Sequence, residues 1–417
     1  MPRKLSLVVV ALLLGACGES PPSETPAGTR DSAGVRIVEN TPPAAAIAWR
    51  LSAEPLVEIS GDGPPEETAL DPGSVYGDSR GRIVVGDGLT SGWHAILVYD
   101  STGSFLFKAG GEGRGPGEFR QLWWAAPYRG DSIAAYDQGE DAVYIFDSEG
   151  RYTRGFRAPQ WRVVPASGSF GMSPFVVQPY PDGRFLAFPG GALDLPDEPG
   201  PAWYRTAFLR LAPTGESWDT LGEFSVWSQQ YWTGTSQEQF PFGLLAVTRV
   251  GDDGLMYGSG ESFELRYYDD DGAVRTIVRR AYERPRVTDA DVRRYKDWYL
   301  DFVSGSPFHG GAAETERVRR WLEGLEFAER KPAYSNLLVD SDGNAWVEEY
   351  RWGNTLGVPP DPRPAVWSVF APSGEWLAQV EVPARFLLQA VTSTQAYGFY
   401  VDAVGVKHVR VYELIKG

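Results

Sequence analysis

Short runs of apolar or alternating residues, each closed by Asp, Ser, Pro or Gly, recur along most of the chain. One unit is a strand, a tight polar turn and a second strand. It appears at Tyr99-Asp100-Ser101-Thr102-Gly103-Ser104-Phe105 and at Phe146-Asp147-Ser148-Glu149-Gly150-Arg151-Tyr152. It returns at Leu211-Ala212-Pro213-Thr214-Gly215, Tyr268-Asp269-Asp270-Asp271-Gly272 and Phe370-Ala371-Pro372-Ser373-Gly374. Asp, Pro and Ser open such turns and Gly supplies the positive φ that closes them, so each is a hairpin. A second series interleaves with the first: Asp78-Ser79-Arg80-Gly81, Tyr128-Arg129-Gly130-Asp131, Pro181-Asp182-Gly183, Asp252-Asp253-Gly254, Asp340-Ser341-Asp342-Gly343 and Thr392-Ser393-Thr394. Most lead into strands such as Ile83-Val84-Val85 or Ala345-Trp346-Val347. Together the two series describe four-stranded antiparallel units with short turns between strands A and B and between C and D.

There are six A–B turns and five C–D turns, because the chain ends after Val409-Arg410-Val411-Tyr412-Glu413-Leu414, one strand short of a sixth unit. Pro55-Leu56-Val57-Glu58-Ile59-Ser60 is a strand without partners of its own. Inserting it as the outer strand of the last unit closes a ring and leaves few exposed edges. The expected fold is therefore all-β, a six-bladed β-propeller closed by an N-terminal strand over residues 46–417. A β-sandwich fits six turn pairs in register poorly.

The long excursions all belong to the B–C and D–A connections. The C–D glycines are 47, 65, 57 and 102 residues apart, against roughly 40–50 for a typical blade. The surplus is aromatic, which predicts a recognition face. Its candidate residues are Trp93, His94, Trp123, Trp124, Trp232, Tyr350, Arg351 and Trp352, with Trp227 nearby in sequence. Arg351 has two expected partners, an anionic ligand group or the adjacent Glu348 and Glu349. The largest excursion, 284–331, reads as a helical hairpin between blades four and five. Thr288 and Asp291 form its capping box, Val292, Tyr295, Tyr299 and Phe302 follow at helical spacing, and Val318, Trp321, Leu322 and Leu325 resume it. Packing against the blades is its first expected role, ahead of a lid or a docking helix.

Composition narrows the partners. The formal net charge of −16 supports no nucleic-acid binding. Cys17 is the only cysteine, so no internal disulfide braces the fold. Ahead of it run a basic start, Arg3-Lys4, and an apolar segment, Leu5 to Leu14. That is the layout of a secretory signal, too short to span a bilayer. Leu14-Gly15-Ala16-Cys17 resembles the lipobox of bacterial lipoproteins, which implies cleavage before Cys17, lipidation of its thiol and an outer-membrane destination facing the periplasm or the surface. Residues 1–16 are then the signal peptide, and 17–45 the lipidated cysteine and a flexible linker.

Gly110-Gly111-Glu112-Gly113-Arg114-Gly115-Pro116-Gly117-Glu118-Phe119 is similar to the blade junction of NHL-repeat propellers, and Ala142-Val143-Tyr144-Ile145-Phe146-Asp147 to their strand-turn signature. The whole chain resembles bacterial six-bladed β-propeller lipoproteins. The resemblance is good over residues 75–156 and implies binding or scaffolding more often than catalysis.

Catalytic signals are sparse. The three histidines, His94, His309 and His408, adjoin no nucleophile or acid in a recognisable motif. Pro116 stands where a dinucleotide loop needs its last glycine. Asp87, Asp137 and Asp402 recur at the ends of B strands, with Glu349 equivalent in blade five, and these are the weak candidates for a metal such as calcium. Repeated Asp at strand ends more often satisfies backbone amides. The sequence thus favours a lipid-anchored binding or scaffold protein for a peptide, glycan or protein partner, without a cofactor. The alternative is a metal-dependent hydrolase or lyase of the lactonase or gluconolactonase type using channel carboxylates.

The anchor is directly testable. Cys17→Ser should abolish lipidation and leave unprocessed precursor on an immunoblot; a serine variant that still matures and partitions with lipoproteins overturns the assignment.

Overall fold

Each repeated turn is braced by its own aspartate. Asp100 Oδ1 accepts the N–H groups of Thr102 and Ser104 at 2.8 and 3.0 Å, and Asp147 Oδ1 those of Glu149 and Arg151. Asp269 repeats the pattern in its C–D turn, and Asp78 and Asp340 in A–B turns. An Asp side chain that bonds its own backbone two residues on is what makes the residue a turn former. These bonds hold the carboxyls of Asp147 and Asp269 below the usual carboxylate range; at Asp100 the Thr102 hydroxyl is the largest cause.

The computed structural model describes residues 28–417 except 43–48, 61–63, 65–66, 70, 89–93, 159–174, 191, 253, 306–310 and 354–360. Cys17, the signal segment and Trp93 lie outside the described residues. The chain is mostly β. Among the described residues six sheets form, each built on three or four antiparallel strands from one consecutive stretch of sequence. Sheet one has strands 72–77, 83–87, 95–99 and 105–109; sheet two has 122–128, 132–137, 142–146 and 152–157. Sheet three is built on 175–179, 185–188, 200–211 and 218–232, and sheet four on 247–251, 254–258, 264–268 and 274–280. Sheet five has 334–339, 345–349, 365–370 and 376–382, and sheet six 386–391, 395–401 and 407–415. The missing partner of sheet six comes from the other end of the chain: Val57–Ile59 pairs antiparallel with Val409–Val411, and Arg50–Leu51 with Leu414–Ile415.

Each sheet shares an apolar cluster with the next. Val84, Ile96 and Ala135 join sheets one and two, and Trp346, Trp367, Val380, Phe386 and Tyr412 join five and six. Val75, Leu97, Tyr397 and Val409 close the cycle between six and one. The result is a propeller-like ring. The C–D glycines are its repeated joint, with φ between 74° and 86°. A Cβ on Gly150 would lie 2.6 Å from Phe107 of the preceding sheet, one on Gly215 2.1 Å from Phe156, and one on Gly272 1.9 Å from the Leu221 carbonyl oxygen. Each turn is thus pressed against the last strand of its neighbour, where only Gly fits.

The glycine-rich stretch 110–119 has a packing role. Its backbone folds back through Phe119 N–H to Gly111 O, 2.7 Å, and seats the fully buried Phe119 ring in the cluster between sheets one and two.

One expectation is corrected. The flexible linker drawn over 17–45 holds a hairpin, Gly28–Ser32 with Val35–Asn40, turned by Ala33 and Gly34, both at positive φ. Val35–Asn40 runs parallel to the last strand of sheet four. Ile37 and Val38 are buried, and Asn40 donates to Gly374 O at 2.9 Å and accepts the Trp376 N–H at 2.9 Å. Three apolar residues, Val35, Ile37 and Val38, next to a polar stretch gave no sign of a partner more than two hundred residues away.

Deleting residues 46–60 should abolish the cooperative melt of the whole domain, since it strips the outer edge of sheet six. Circular dichroism on heating decides it: a deletion variant that melts like the parent rules out ring closure by this strand.

Candidate functional site

The first strands of neighbouring sheets touch around the ring: one with two and with six, three with four, four with five and five with six. Between sheets three and four this inner wall opens into a cavity of about 240 Å³ that reaches the first strand of sheet five. Phe175 and Val177 come from sheet three, Val247, Thr248 and Arg249 from sheet four, and Ser335 and Asn336 from sheet five. Farther out stand Phe188, Phe208, Trp227 and Tyr257. Alternation along Val247–Gly251 is what turns Arg249 and Val247 to the same side.

Trp227 sits at φ 58° inside the long strand Trp218–Trp232. A left-handed backbone costs a non-glycine residue about 1–2 kcal/mol. It is held by the Ala246 N–H, which donates to the Trp227 carbonyl at 2.8 Å, and by Phe188, whose ring meets the indole edge-on at 5.1 Å. Strain held by its surroundings in this way marks a position where the side chain's direction matters.

Among the described residues Arg249 is the one charged residue lining the cavity. Its Nη1 donates to the Thr248 carbonyl at 2.8 Å. Tyr76, in the first strand of sheet one, is close enough to couple electrostatically with it. Burial is the main influence on both: it pushes the Tyr76 phenol up and Arg249 down, and each opposes the shift of the other. Sequence reasoning missed this site. The available signal was an arginine inside Val247-Thr248-Arg249-Val250, a strand otherwise suited to burial.

The aromatic candidates fall into separate groups. Trp124 is buried and donates its Nε1–H to Val176 O at 2.8 Å, while Trp123 meets Phe175 edge-on at 5.3 Å. Both therefore pack behind the cavity wall. Trp232 is partly buried at the end of its strand, beside the sheet-three core. Tyr350 and Trp352 join a cluster under two helices, α1 (Asp289–Gly305) and α2 (Ala312–Glu323). Trp298 lies 5.6 Å from Trp352, and the Arg294 guanidinium 4.7 Å over the same ring. His94 is buried, with no hydrogen-bond partner for Nδ1 among the described residues.

The helices follow sheet four in the chain and precede sheet five. Thr288 and Asp291 cap α1 reciprocally, Thr288 N–H to Asp291 Oδ2 at 2.9 Å and Asp291 N–H to Thr288 Oγ1 at 3.3 Å. Tyr295 and Leu322 are buried, whereas Phe302, at one end of the apolar stripe, is 52% exposed. Trp321 Nε1 donates to Glu238 and the Tyr295 hydroxyl to Gln239, docking the pair on Gln237–Gln239, a short strand at the edge of sheet three.

The carboxylates are engaged elsewhere. Asp137 accepts three backbone N–H bonds, from Arg120, Gln121 and Gly139, and Asp87 accepts the Asp71 N–H. Asp402 accepts the Val404 and Val406 N–H groups, which hold its carboxyl low. Glu349 pairs with Arg280, a guanidinium 3.8 Å from the Phe263 ring centre and 4.7 Å from that of Trp376. Among the described residues no three His, Cys, Asp or Glu side chains form a metal-binding group. Arg351 is matched by the fully buried Glu348, Nε to Oε1 at 2.6 Å; burial pushes that carboxyl up and the guanidinium opposes it.

No family model and no curated protein sequence matches the chain. Among solved structures, it is similar to a member of the DUF4221 family from Bacteroides vulgatus, at 10% identity and a TM-score of 0.48 over 89% of this chain and 99% of that one. A protein designated exported, from Bacteroides fragilis, aligns at 12% identity and 0.45 over 90% and 99%. Regucalcin from Agrobacterium tumefaciens, described as calcium-binding, aligns at 11% and 0.37 over 88% and 96%. These likenesses assign no activity or ligand.

Removing one partner of a buried ion pair typically costs about 3–5 kcal/mol. Arg351→Met should therefore lower the urea unfolding free energy by that order, and adding Glu348→Gln should recover part of it. An unchanged stability in Arg351→Met would free this residue for a ligand.

Proposed function

We propose that this chain is an exported, lipid-anchored six-bladed propeller that acts as a binding protein, with its helical insert between blades four and five. Its ligand occupies the cavity between sheets three and four, and the aromatic B–C and D–A loops form the approach to it. The observation that supports this reading is the cavity itself: aromatic on several sides, a few polar groups at its inner end, and a tryptophan held in a strained backbone. Concave, mostly apolar sites with sparse polar groups are the form small-molecule sites take. The carboxylates that would carry a metal-dependent hydrolase are engaged by backbone amides and arginine, so the enzymatic alternative is not favoured.

A neutral two-ring probe tests the cavity. Isothermal titration of the full-length protein with naphthalene-2-carboxamide should show one site per chain. Trp227→Ala should weaken it by more than about 2 kcal/mol, the scale of a central aromatic contact, while Trp352→Ala leaves it intact. Equal loss in both variants, or no binding to the parent protein, removes the assignment.

A further inference from the structure

The buried arginines elsewhere in the ring are matched by carboxylates. Arg351 has Glu348, Arg280 has Glu349, and Arg210 has Asp219 and Asp270. Arg249 differs. Its guanidinium uses one donor on the Thr248 carbonyl, and among the described residues the titratable group that acts on it is the Tyr76 phenol, a neutral group that burial makes harder to ionise. Among the described residues it has no carboxylate in ion-pair range. A guanidinium has five N–H donors, and a charge enclosed by protein without a counter-charge is costly. The chain carries 55 acidic residues, yet none of the described ones is placed here.

Around this charge the lining is aromatic. Phe175, Phe188, Trp227 and Tyr257 supply flat apolar surface, and Asn336 and Ser335 supply polar edges from sheet five. The cavity is small, about 240 Å³, which suits a ligand with one head and one or two rings. Resting on the binding-site reading above, we infer that Arg249 is the anchor for an organic anion. The ligand class is a compact aromatic or branched aliphatic carboxylate. Its head pairs with the Arg249 guanidinium beside the Tyr76 hydroxyl, and its body lies against Trp227 and Phe188. Arg suits this role because its fork matches the two oxygens of a carboxylate.

Two isosteric probes that differ in charge separate the inference from the reading it rests on. Titrate the full-length protein with naphthalene-2-carboxylate and with naphthalene-2-carboxamide. The carboxylate should bind at least about tenfold more tightly, the scale of a hydrogen bond to a charged group. Arg249→Met and Arg249→Gln should each erase that advantage and leave carboxamide binding within about threefold, and Arg249→Lys should keep part of it. In the parent protein, added salt should weaken the carboxylate alone, a readout that needs no variant. If both probes bind equally to the parent and to Arg249→Gln, the cavity is a neutral site and the anion inference falls while the binding reading stands. If neither probe binds the parent, both fall. Heating provides the fold control: with the unmatched charge gone, Arg249→Met should melt no lower than the parent.

Discussion

Three residues near the start of the chain, Val57–Ile59, hold the ring shut by pairing with Val409–Val411. The Leu56 N–H to Val411 O bond at 2.7 Å extends the ladder, and Glu58 meets Arg410 across it. The same residues then carry the joint to sheet one, where Gly103 presses its turn onto Val57. Without them, sheet six would present a bare edge and the apolar cluster it shares with sheet one would lose a wall. A ring of sheets distributes its core over all its joints, so an opening at one of them is felt at every other. The inner strands that surround the cavity keep their positions only while the ring is closed.

Much of this was legible in the sequence because the information is local. An Asp that bonds its own backbone and a Gly at φ near 80° declare a turn wherever they stand, which is why both turn series could be read from residues alone. The capping box at Thr288 and Asp291 was readable for the same reason. The hairpin at 28–40 was not, since its stability comes from pairing with residues 274–280 and from Asn40 bonding to sheet five. Arg249 was hidden differently. Its strand pattern was plain, but only the ring brings Tyr76, Phe175 and Asn336 to it from three other stretches of sequence. Aromatic residues were a poor guide to position: Trp124 and Trp352 were both expected in loops, yet Trp124 lies within the strand 122–128, packed between sheets, and Trp352 lies under a helix pair.

Charge is distributed with a division of labour. Acidic residues outnumber basic ones, but the described aspartates that looked like metal ligands brace turns and strand ends, as Asp137 does with three amide bonds, and Glu349 pairs with Arg280. Arginines perform the long-range work, crossing between sheets as Arg280 does among its aromatic rings.

Closure by the N-terminal strand also imposes an order in time. Residues 57–59 are made well before their partners, 409–411, at a separation of about 350 residues. Contacts so distant along the chain are slow to form, and here they cannot form at all until residues 409–411 have been made. During synthesis sheet one has a neighbour on one side alone, and the edge that will finally receive the first strand does not exist. The growing chain is therefore an open arc rather than a small ring. Its last nine-residue strand, Lys407–Ile415, converts a series of partly supported sheets into one cooperative body.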